Sequence, residues 1–273
     1  MVSAQTPLRL RPLEIGDLLD ETFRMYRRHF LLFAGLSVIF AIPTAAFSGF
    51  ILYTLFNTLL RPGRPFMVDP SFLVWYGVFL LITLVLVPFQ YGVVTYAACE
   101  SALGRPVTAS GVLNGVLRRY FPLLGYFILV SLMAVAFCLL PLWIWIWVSW
   151  CVVLPVMFIE NVGLLPAMGR SWRLVEGRWW RTFLVLFLVL VVFYVATLAL
   201  RAFIALGQAL LQLVVSQMVV LWISGATTAI VDSLVFPVVQ IAIVLIYFDL
   251  RVRKEGLDLF QQAQRVTPPL PAS

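Results

Sequence analysis

Three carboxylates and the arginines near them are the residues of this sequence best suited to chemistry. Glu100, Glu160 and Asp249 each come at the end of a long apolar run. Carboxylates that met in space could act as general acid and base. The many arginines nearby favour structural ion pairs instead, because a partly buried charge needs a partner. The candidates for such pairs are Glu100, Glu160, Arg170, Arg173, Asp249 and Arg251.

A second group of polar residues lies inside the last apolar run, residues 182–248. Arg201 and Asp232 are the charged residues of that run, and an ionisable residue in an apolar segment is a functional hypothesis by default. A transport site here would form a polar pocket from Thr227, Thr228, Asp232 and Ser233. The alternative is a structural pair between Arg201 and Asp232. We favour the pair, because transport sites usually lie nearer the middle of the bilayer.

The other residue types that commonly do chemistry lack their usual patterns. His29 is the single histidine, so no histidine-based metal site of ordinary spacing can form. No serine lies in a GxSxG motif. Cys99, Cys138 and Cys151 lie in or beside apolar runs and are expected to be small apolar fillers. We therefore expect no catalytic residue, cofactor or metal, and expect that the protein is not an enzyme.

Long apolar runs indicate the elements that position these residues. Residues 30–60, 71–99 and 121–159 carry no charged side chain. A helix needs about 20 apolar residues to cross a bilayer. The third run therefore holds two spans that separate at Pro141. We predict an all-α membrane protein whose spans are about 30–60, 71–99, 121–140, 142–160, 182–206 and 225–248.

The distribution of basic residues predicts the topology. Of the 19 Lys and Arg residues, 16 fall in four polar segments. These are the N-terminal segment before residue 30, the loops at 100–120 and 160–181, and the C-terminal tail after residue 248. Basic residues concentrate in cytoplasmic segments, so both termini are expected in the cytoplasm. An even number of spans must then separate Arg181 from Arg251. Two is the economical number, while residues 207–224 could be an outer interfacial helix or part of a span.

Polar segments before the odd-numbered spans give the chain a threefold pattern. Each ends in arginine, an aromatic residue and leucines, and we expect the six spans to form three hairpins with cytoplasmic interfacial helices. The pattern is either an internal repeat or the ordinary placement of arginine and aromatic residues at the ends of spans. The clearest of these entry helices is residues 12–29, whose apolar face is expected to lie on the membrane or to pack on the protein's own spans. Residues 1–260 would form one domain, followed by a flexible cytoplasmic tail at 261–273.

Two further features follow from composition. Trp143, Trp145, Trp147 and Trp150 are expected to surround the outer turn after Pro141 as part of an aromatic belt. The net charge of +7 is not a nucleic-acid signal, because the basic residues flank spans and would face anionic lipids. The expected partners are thus the lipid bilayer and a membrane or cytoplasmic protein, and not nucleic acid.

Three motifs, in order, cover nearly the whole chain and carry a resemblance. The motifs are Leu10–Asp20 (LRPLEIGDLLD), Arg170–Trp180 (RSWRLVEGRWW) and the most specific, Tyr247–Leu259 (YFDLRVRKEGLDL). On these motifs the chain resembles a bacterial family named for the membrane domain of glycerophosphoryl diester phosphodiesterases, and the resemblance implies a location in the bacterial plasma membrane. That name comes from fusions to a separate soluble hydrolase, whose paired histidines and metal-binding acids are missing here, and we expect no such domain after Asp258.

The function expected from these features is that of a non-catalytic integral membrane module. It would act as a scaffold or regulator for a separately encoded partner, presenting the entry helices and the segment Asp249–Leu259 on its cytoplasmic surface. The alternative is a small transporter or lipid-handling protein with a polar cavity near Asp232. A continuous polar path from Asp232 to Glu100 and Glu160 would favour transport, and a closed apolar interior would favour the scaffold.

Overall fold

Helices make up nearly all of the described structure. The computed structural model describes residues 14–59, 70–135 and 140–256, of which about 88% are helical and none forms a strand. The all-α prediction is therefore confirmed for these residues. The helices are α1 (Ile15–Arg28), α2 (Phe30–Leu59), α3 (Pro70–Ala102), α4 (Ala109–Leu117), α5 (Tyr120–Val135), α6 (Leu140–Ser149), α7 (Val153–Ile159), α8 (Leu164–Val175), α9 (Trp179–Leu211) and α10 (Gln217–Glu255).

Several of these helices are long and apolar enough to cross a bilayer. The candidate spans are Phe30–Ile51, Phe72–Ala102, Pro141–Ile159, Trp179–Leu211 and Ile223–Glu255. A sixth arises if α4 and the apolar part of α5, which meet at a bend of 68°, are taken as one broken span. Five or six such helices are consistent with a multi-pass membrane protein. Predicted spans 30–60 and 121–140, and the tail 261–273, extend partly or wholly outside the described residues.

The core forms around the last helix, α10, which packs against α1, α2, α3, α7, α8 and α9. Its second half is almost continuously buried, with Ile241, Val244 and Tyr247 fully inaccessible. Near its first turns α10 crosses α2 closely, since a Cβ on Gly225 would lie 3.2 Å from the Cα of Gly49. The long helices thus share one core, and α10 runs through it.

The first helix packs on the protein's own helices, which is one of the two arrangements expected for it. Leu18 and Met25 are buried, and Thr22 is buried between them with its hydroxyl bonded to the Leu18 carbonyl at 2.7 Å. On the other side, Asp20 and Arg24 are exposed. The apolar face of α1 is therefore used for packing, and its charged face is left on the surface.

The segment 207–224 contains no separate helix. α9 continues to Leu211 and α10 begins at Gln217, so the segment is divided between two long helices and a short turn. The chain here forms a hairpin of helices with 33 and 39 residues, both longer than a bilayer requires.

The predicted span after Pro141 is not one continuous helix. The helix is broken at residues 150–152, between α6 and α7, where the Ser149 carbonyl accepts a hydrogen bond from Ser171 of α8 at 2.8 Å. Pro155 explains the break, because a proline has no N–H to continue the helical ladder.

Trp145, which was expected in an outer tryptophan ring, contacts the segment that was expected on the opposite, cytoplasmic side. Its ring packs on Trp172 with centroids 4.6 Å apart, and its carbonyl accepts from Trp179 Nε1 at 3.2 Å. Both partners belong to the arginine-rich segment around α8, so Trp145 lies beside that segment. Trp143 and Trp147 instead stack on each other and line a small cleft with Tyr126.

Candidate functional site

A ring of five polar side chains joins α7, α8 and the end of α10. Arg170 donates from Nε to both oxygens of Glu160 at 3.1 Å and from Nη2 to Glu255. Arg251 donates from Nε to Glu255 at 2.8 Å and from Nη1 to the Tyr247 hydroxyl at 3.2 Å. The Tyr247 hydroxyl donates to Glu160 at 3.0 Å and closes the ring. Each member thus has two partners.

This ring is suited to holding helices together rather than to moving protons. Burial alone would lower the pKa of the Arg170 guanidinium, but its hydrogen bonds to Glu255 and Glu160 raise that pKa above its ordinary value. Arg170 therefore stays charged and keeps two carboxylates engaged. Carboxylates held by arginine in this way make poor general bases.

Asp249 is the most buried of the predicted carboxylates, with 2% of its side chain exposed. It accepts from Arg181, at the start of α9, and from Arg253 on its own helix at 2.8 Å. Arg173 contributes through its backbone, since its carbonyl accepts from Lys254. The arginine-rich segment, residues 170–181, is thus held against the last two turns of α10.

Glu100 has a basic partner of its own. Arg105, just past the end of α3, lies 3.1 Å from the carboxylate, and the arginine side chain is 62% exposed. Between them, Gly104 turns the chain with a φ of 71°, which a residue with a side chain rarely adopts. Glu100, Glu160 and Asp249 are therefore each bound to arginine.

Arg201 and Asp232 form an ion pair between α9 and α10. Arg201 Nη2 lies 2.6 Å from both carboxylate oxygens, and the two side chains are 46% and 43% exposed. The pair is therefore on the side of the bundle and not within its core. It connects the two helices of the last hairpin.

The predicted polar pocket near Asp232 has its hydroxyl groups turned to other partners. Ser233 donates to the Ala229 carbonyl at 2.7 Å, and Thr227 donates to the Ile223 carbonyl at 2.8 Å while accepting from Gln208. Thr228 is half-buried on the same helix. The cavity beside this stretch, about 430 Å³, is apolar and is lined by Val38, Ala41, Ile42, Ala45, Ile223, Ala226, Ala229 and Ile230.

A larger cavity with a different chemistry lies between α3, α4, α5 and α7. It has a volume of about 590 Å³, and we call it the basic cavity. Its lining contains two guanidinium groups, two amides and no carboxylate. The lining residues are Tyr96, Gly111, Asn114, Gly115, Arg118, Arg119, Pro122, Phe158 and Asn161.

Two glycines of α4 give the basic cavity its shape. A Cβ on Gly115 would collide with the ring of Tyr96, so only glycine lets α4 approach α3 here. A Cβ on Gly111 would lie 2.9 Å from the Thr108 hydroxyl, which caps α4 by accepting from the Gly111 N–H. Gly111 and Gly115 form a GxxxG motif outside the predicted spans, for which the sequence alone indicated no role. Its position beside Asn114, Arg118 and Arg119 was the available signal.

Among the described residues, no group of three or more His, Cys, Asp or Glu side chains could hold a metal ion. Cys99 and Cys151 are buried, as expected of apolar fillers, and Cys138 lies outside the described residues.

No protein-family model, curated protein or solved structure matches this chain. The family resemblance drawn from the three motifs therefore stays an expectation, and the function must be argued from the geometry.

Proposed function

We propose that the protein is a non-catalytic module of the bacterial plasma membrane that acts as a scaffold or regulator for a separately encoded partner. It would have six spans in three hairpins and both termini in the cytoplasm. The main support is that the carboxylates best placed for proton transfer or transport are held by arginine: Glu160 by Arg170, and Asp249 by Arg181 and Arg253.

The interior between Asp232 and these ion pairs supports the same conclusion. Along α10 the side chains of Val238, Ile241 and Val244 are at most 7% exposed. The amide oxygen of buried Gln240 accepts from the Thr95 hydroxyl at 3.0 Å. A path for a polar solute would need an opening through this packed layer.

Cysteine accessibility tests the closed interior. In a variant without native cysteines, single cysteines at Ile241 and Val244 should resist a water-soluble maleimide applied to either side of the membrane. Cysteine at exposed Arg24 is the positive control. Rapid labelling at Ile241 or Val244 would show a water-filled path and would favour transport.

Labelling in intact cells tests the topology, which rests on the distribution of basic residues. Single cysteines at Arg64 and Ser273, both outside the described residues, should differ: Arg64 should react with an impermeant reagent and Ser273 should be protected. Equal protection at the two positions would reject this orientation.

The surface that would face the partner is narrower than the sequence suggested. Asp249, Leu250 and Val252 are at most 3% exposed, because the last turns of α10 pack inside the bundle. Residues 257–259 lie outside the described part. The charged face of α1, with exposed Asp20 and Arg24, remains available.

Site-specific photo-crosslinking in native membranes tests that surface. A photoreactive amino acid at Asp20 or Arg24 should capture a discrete partner. The same group at Leu18, 1% exposed and on the opposite face of α1, is the matched control. Identical products from the buried and the exposed positions would contradict a partner surface on α1.

A lipid-handling role has one specific observation in its favour, the apolar cavity of about 430 Å³ between α2 and α10. Its lining of valine, alanine and isoleucine suits an acyl chain. Ala226→Trp should fill the cavity and lower the number of lipids retained in native mass spectrometry. Unchanged retention would leave this second candidate without support.

A further inference from the structure

The basic cavity has no part in the proposed scaffold, and its charge is unbalanced. Arg118 and Arg119 both line it, while no lining residue is acidic. The nearest carboxylate on α3 is that of Glu100, one turn beyond Tyr96, and Arg105 already pairs with it. The cavity therefore has a positive potential that the described side chains do not neutralise.

The two arginines differ in how they are held. Arg119 donates from Nη1 to the Val162 carbonyl at 2.6 Å and from Nη2 to Asn161 Oδ1, so its guanidinium is fixed against the wall. Arg118 is exposed, and its guanidinium has no hydrogen-bond or ion-pair partner among the described residues. One charge is thus positioned in advance, and the other is free to close on a ligand.

The amides of the lining add further donors. Asn161 has a left-handed backbone with a φ of 57°, and its Oδ1 is taken by Arg119, which leaves its Nδ2 available. Asn114 is exposed one turn before Arg118 on α4. A group that accepts several hydrogen bonds and carries negative charge matches this set of donors.

We propose that the basic cavity binds a phosphate ester of net negative charge. Its volume, about 590 Å³, is larger than a lone ion needs and falls within the range of small-molecule sites. Guanidinium groups suit phosphate because their N–H donors can reach two oxygens at once. Pro122 and Phe158 supply an apolar wall for the rest of the ester.

The same chemistry could come from a lipid headgroup or from a soluble phosphate ester. Exposed apolar side chains beside the cavity favour the lipid: Phe121 is 82% exposed and Leu117 is 57% exposed. Leu117 directly precedes Arg118, and Phe121 follows Arg119 after one intervening residue. Acyl chains could lie on these side chains while the headgroup enters the cavity.

Thermal unfolding of the full chain in a neutral detergent tests the proposal and separates the two sources. Phosphatidylglycerol, phosphatidylcholine and glycerol 1-phosphate are titrated separately, and a ligand of the native state raises Tm with its concentration. Phosphatidylglycerol should raise Tm at lower concentration than phosphatidylcholine. An effect of glycerol 1-phosphate equal to that of phosphatidylglycerol would identify a soluble ester as the ligand.

Variants connect the effect to the cavity. Arg118→Gln should weaken phosphatidylglycerol binding about tenfold or more, as expected for loss of a charge-assisted hydrogen bond, and Arg118→Glu should weaken it further. Arg27→Gln removes an exposed arginine of α1 that does not line the cavity, and it should titrate as the native protein does. Asn114→Ala gives a second, independent loss of affinity if Arg118 variants melt early without ligand.

Two results would overturn the proposal. One is equal stabilisation by phosphatidylcholine and phosphatidylglycerol, which would mean that acyl chains and not the anionic ester are bound. The other is an unchanged titration in both Arg118→Gln and Asn114→Ala.

Discussion

The hydroxyl of Tyr26 donates a hydrogen bond of 2.5 Å to the carbonyl oxygen of Leu234, three residues before Pro237 in α10. A proline removes one helical hydrogen bond and opens the turn before it, and a neighbouring helix can satisfy the exposed carbonyl groups. Burial raises the pKa of Tyr26 to about 12, so its hydroxyl keeps its proton near neutral pH. Tyr26 is thus a permanent donor that ties α1 to the core helix.

The same relationship occurs a second time, between α5 and α3. Tyr120, at the start of α5, donates to the Val85 carbonyl at 3.1 Å, three residues before Pro88 of α3. In both cases a tyrosine at or just before the start of a long helix donates to a carbonyl that lies three residues before a proline of another helix.

Tyr26→Phe should lower the stability of the protein by about 0.5–1.5 kcal/mol, the range for one hydrogen bond of this kind. Thermal unfolding in detergent would measure the loss. Tyr194→Phe removes the hydroxyl of a tyrosine that is 65% exposed and should have little effect. If the bond serves the turn opened by proline, Tyr26→Phe should cost less in a Pro237→Ala background.

Glu160→Gln should destabilise the protein by about 1–2 kcal/mol, because it removes the charge that faces Arg170 and weakens the bond from Tyr247. The cost stays below that of a fully buried pair, since the two side chains are 19% and 27% exposed. Glu176→Gln, at an exposed position just after α8, is the control. Matching melting curves for the two variants would contradict a structural role for the ring.

Sequence reasoning succeeded where a one-dimensional pattern carries the information. Apolar runs longer than a bilayer predicted the helices, and Arg201 and Asp232, the charged residues of the last run, were expected to pair. The structure brings their side chains together between α9 and α10. Likewise, the carboxylates at helix ends found partners in the nearest arginine-rich segments.

The features that were missed depend on contacts between distant parts of the chain. The basic cavity exists because Gly115 lets the Tyr96 ring approach α4, and no local pattern tells which helix a glycine will face. The contact of Trp145 with Trp172 was not foreseen, because it depends on the break between α6 and α7. The sequence showed the breaking residue, Pro155, but not the direction that the chain takes after it.

Acidic pH should destabilise the protein through His29, at the junction of α1 and α2. Burial, and then the charge of Arg28, lower the pKa of His29 below its ordinary value of 6.5. Its Nε2 is buried without a hydrogen-bond partner among the described residues. Below that ordinary value the unfolded chain binds a proton that the folded protein does not, so stability falls as the pH falls.

The measurement is Tm at about pH 7.5 and about pH 5.5, on either side of the ordinary histidine pKa. The decrease should be larger for the native protein than for His29→Gln, which cannot gain the proton. Equal decreases would assign the acid sensitivity to the carboxylates at the helix ends.

The ion pair of Arg201 and Asp232 makes the sharpest distinction between structure and transport. Both side chains are more than 40% exposed, so a structural pair at this site should contribute about 0.5–1 kcal/mol. Arg201→Gln and Asp232→Asn should each lower Tm, and the double variant should lose less than the sum of the two. The charge swap Arg201→Asp with Asp232→Arg should restore much of the stability.

A site that binds an ion or proton through Asp232 behaves differently, because Asp232→Asn would then be stable and the swap would restore nothing. The double-mutant cycle measures the coupling directly, and a coupling of zero would reject the structural pair.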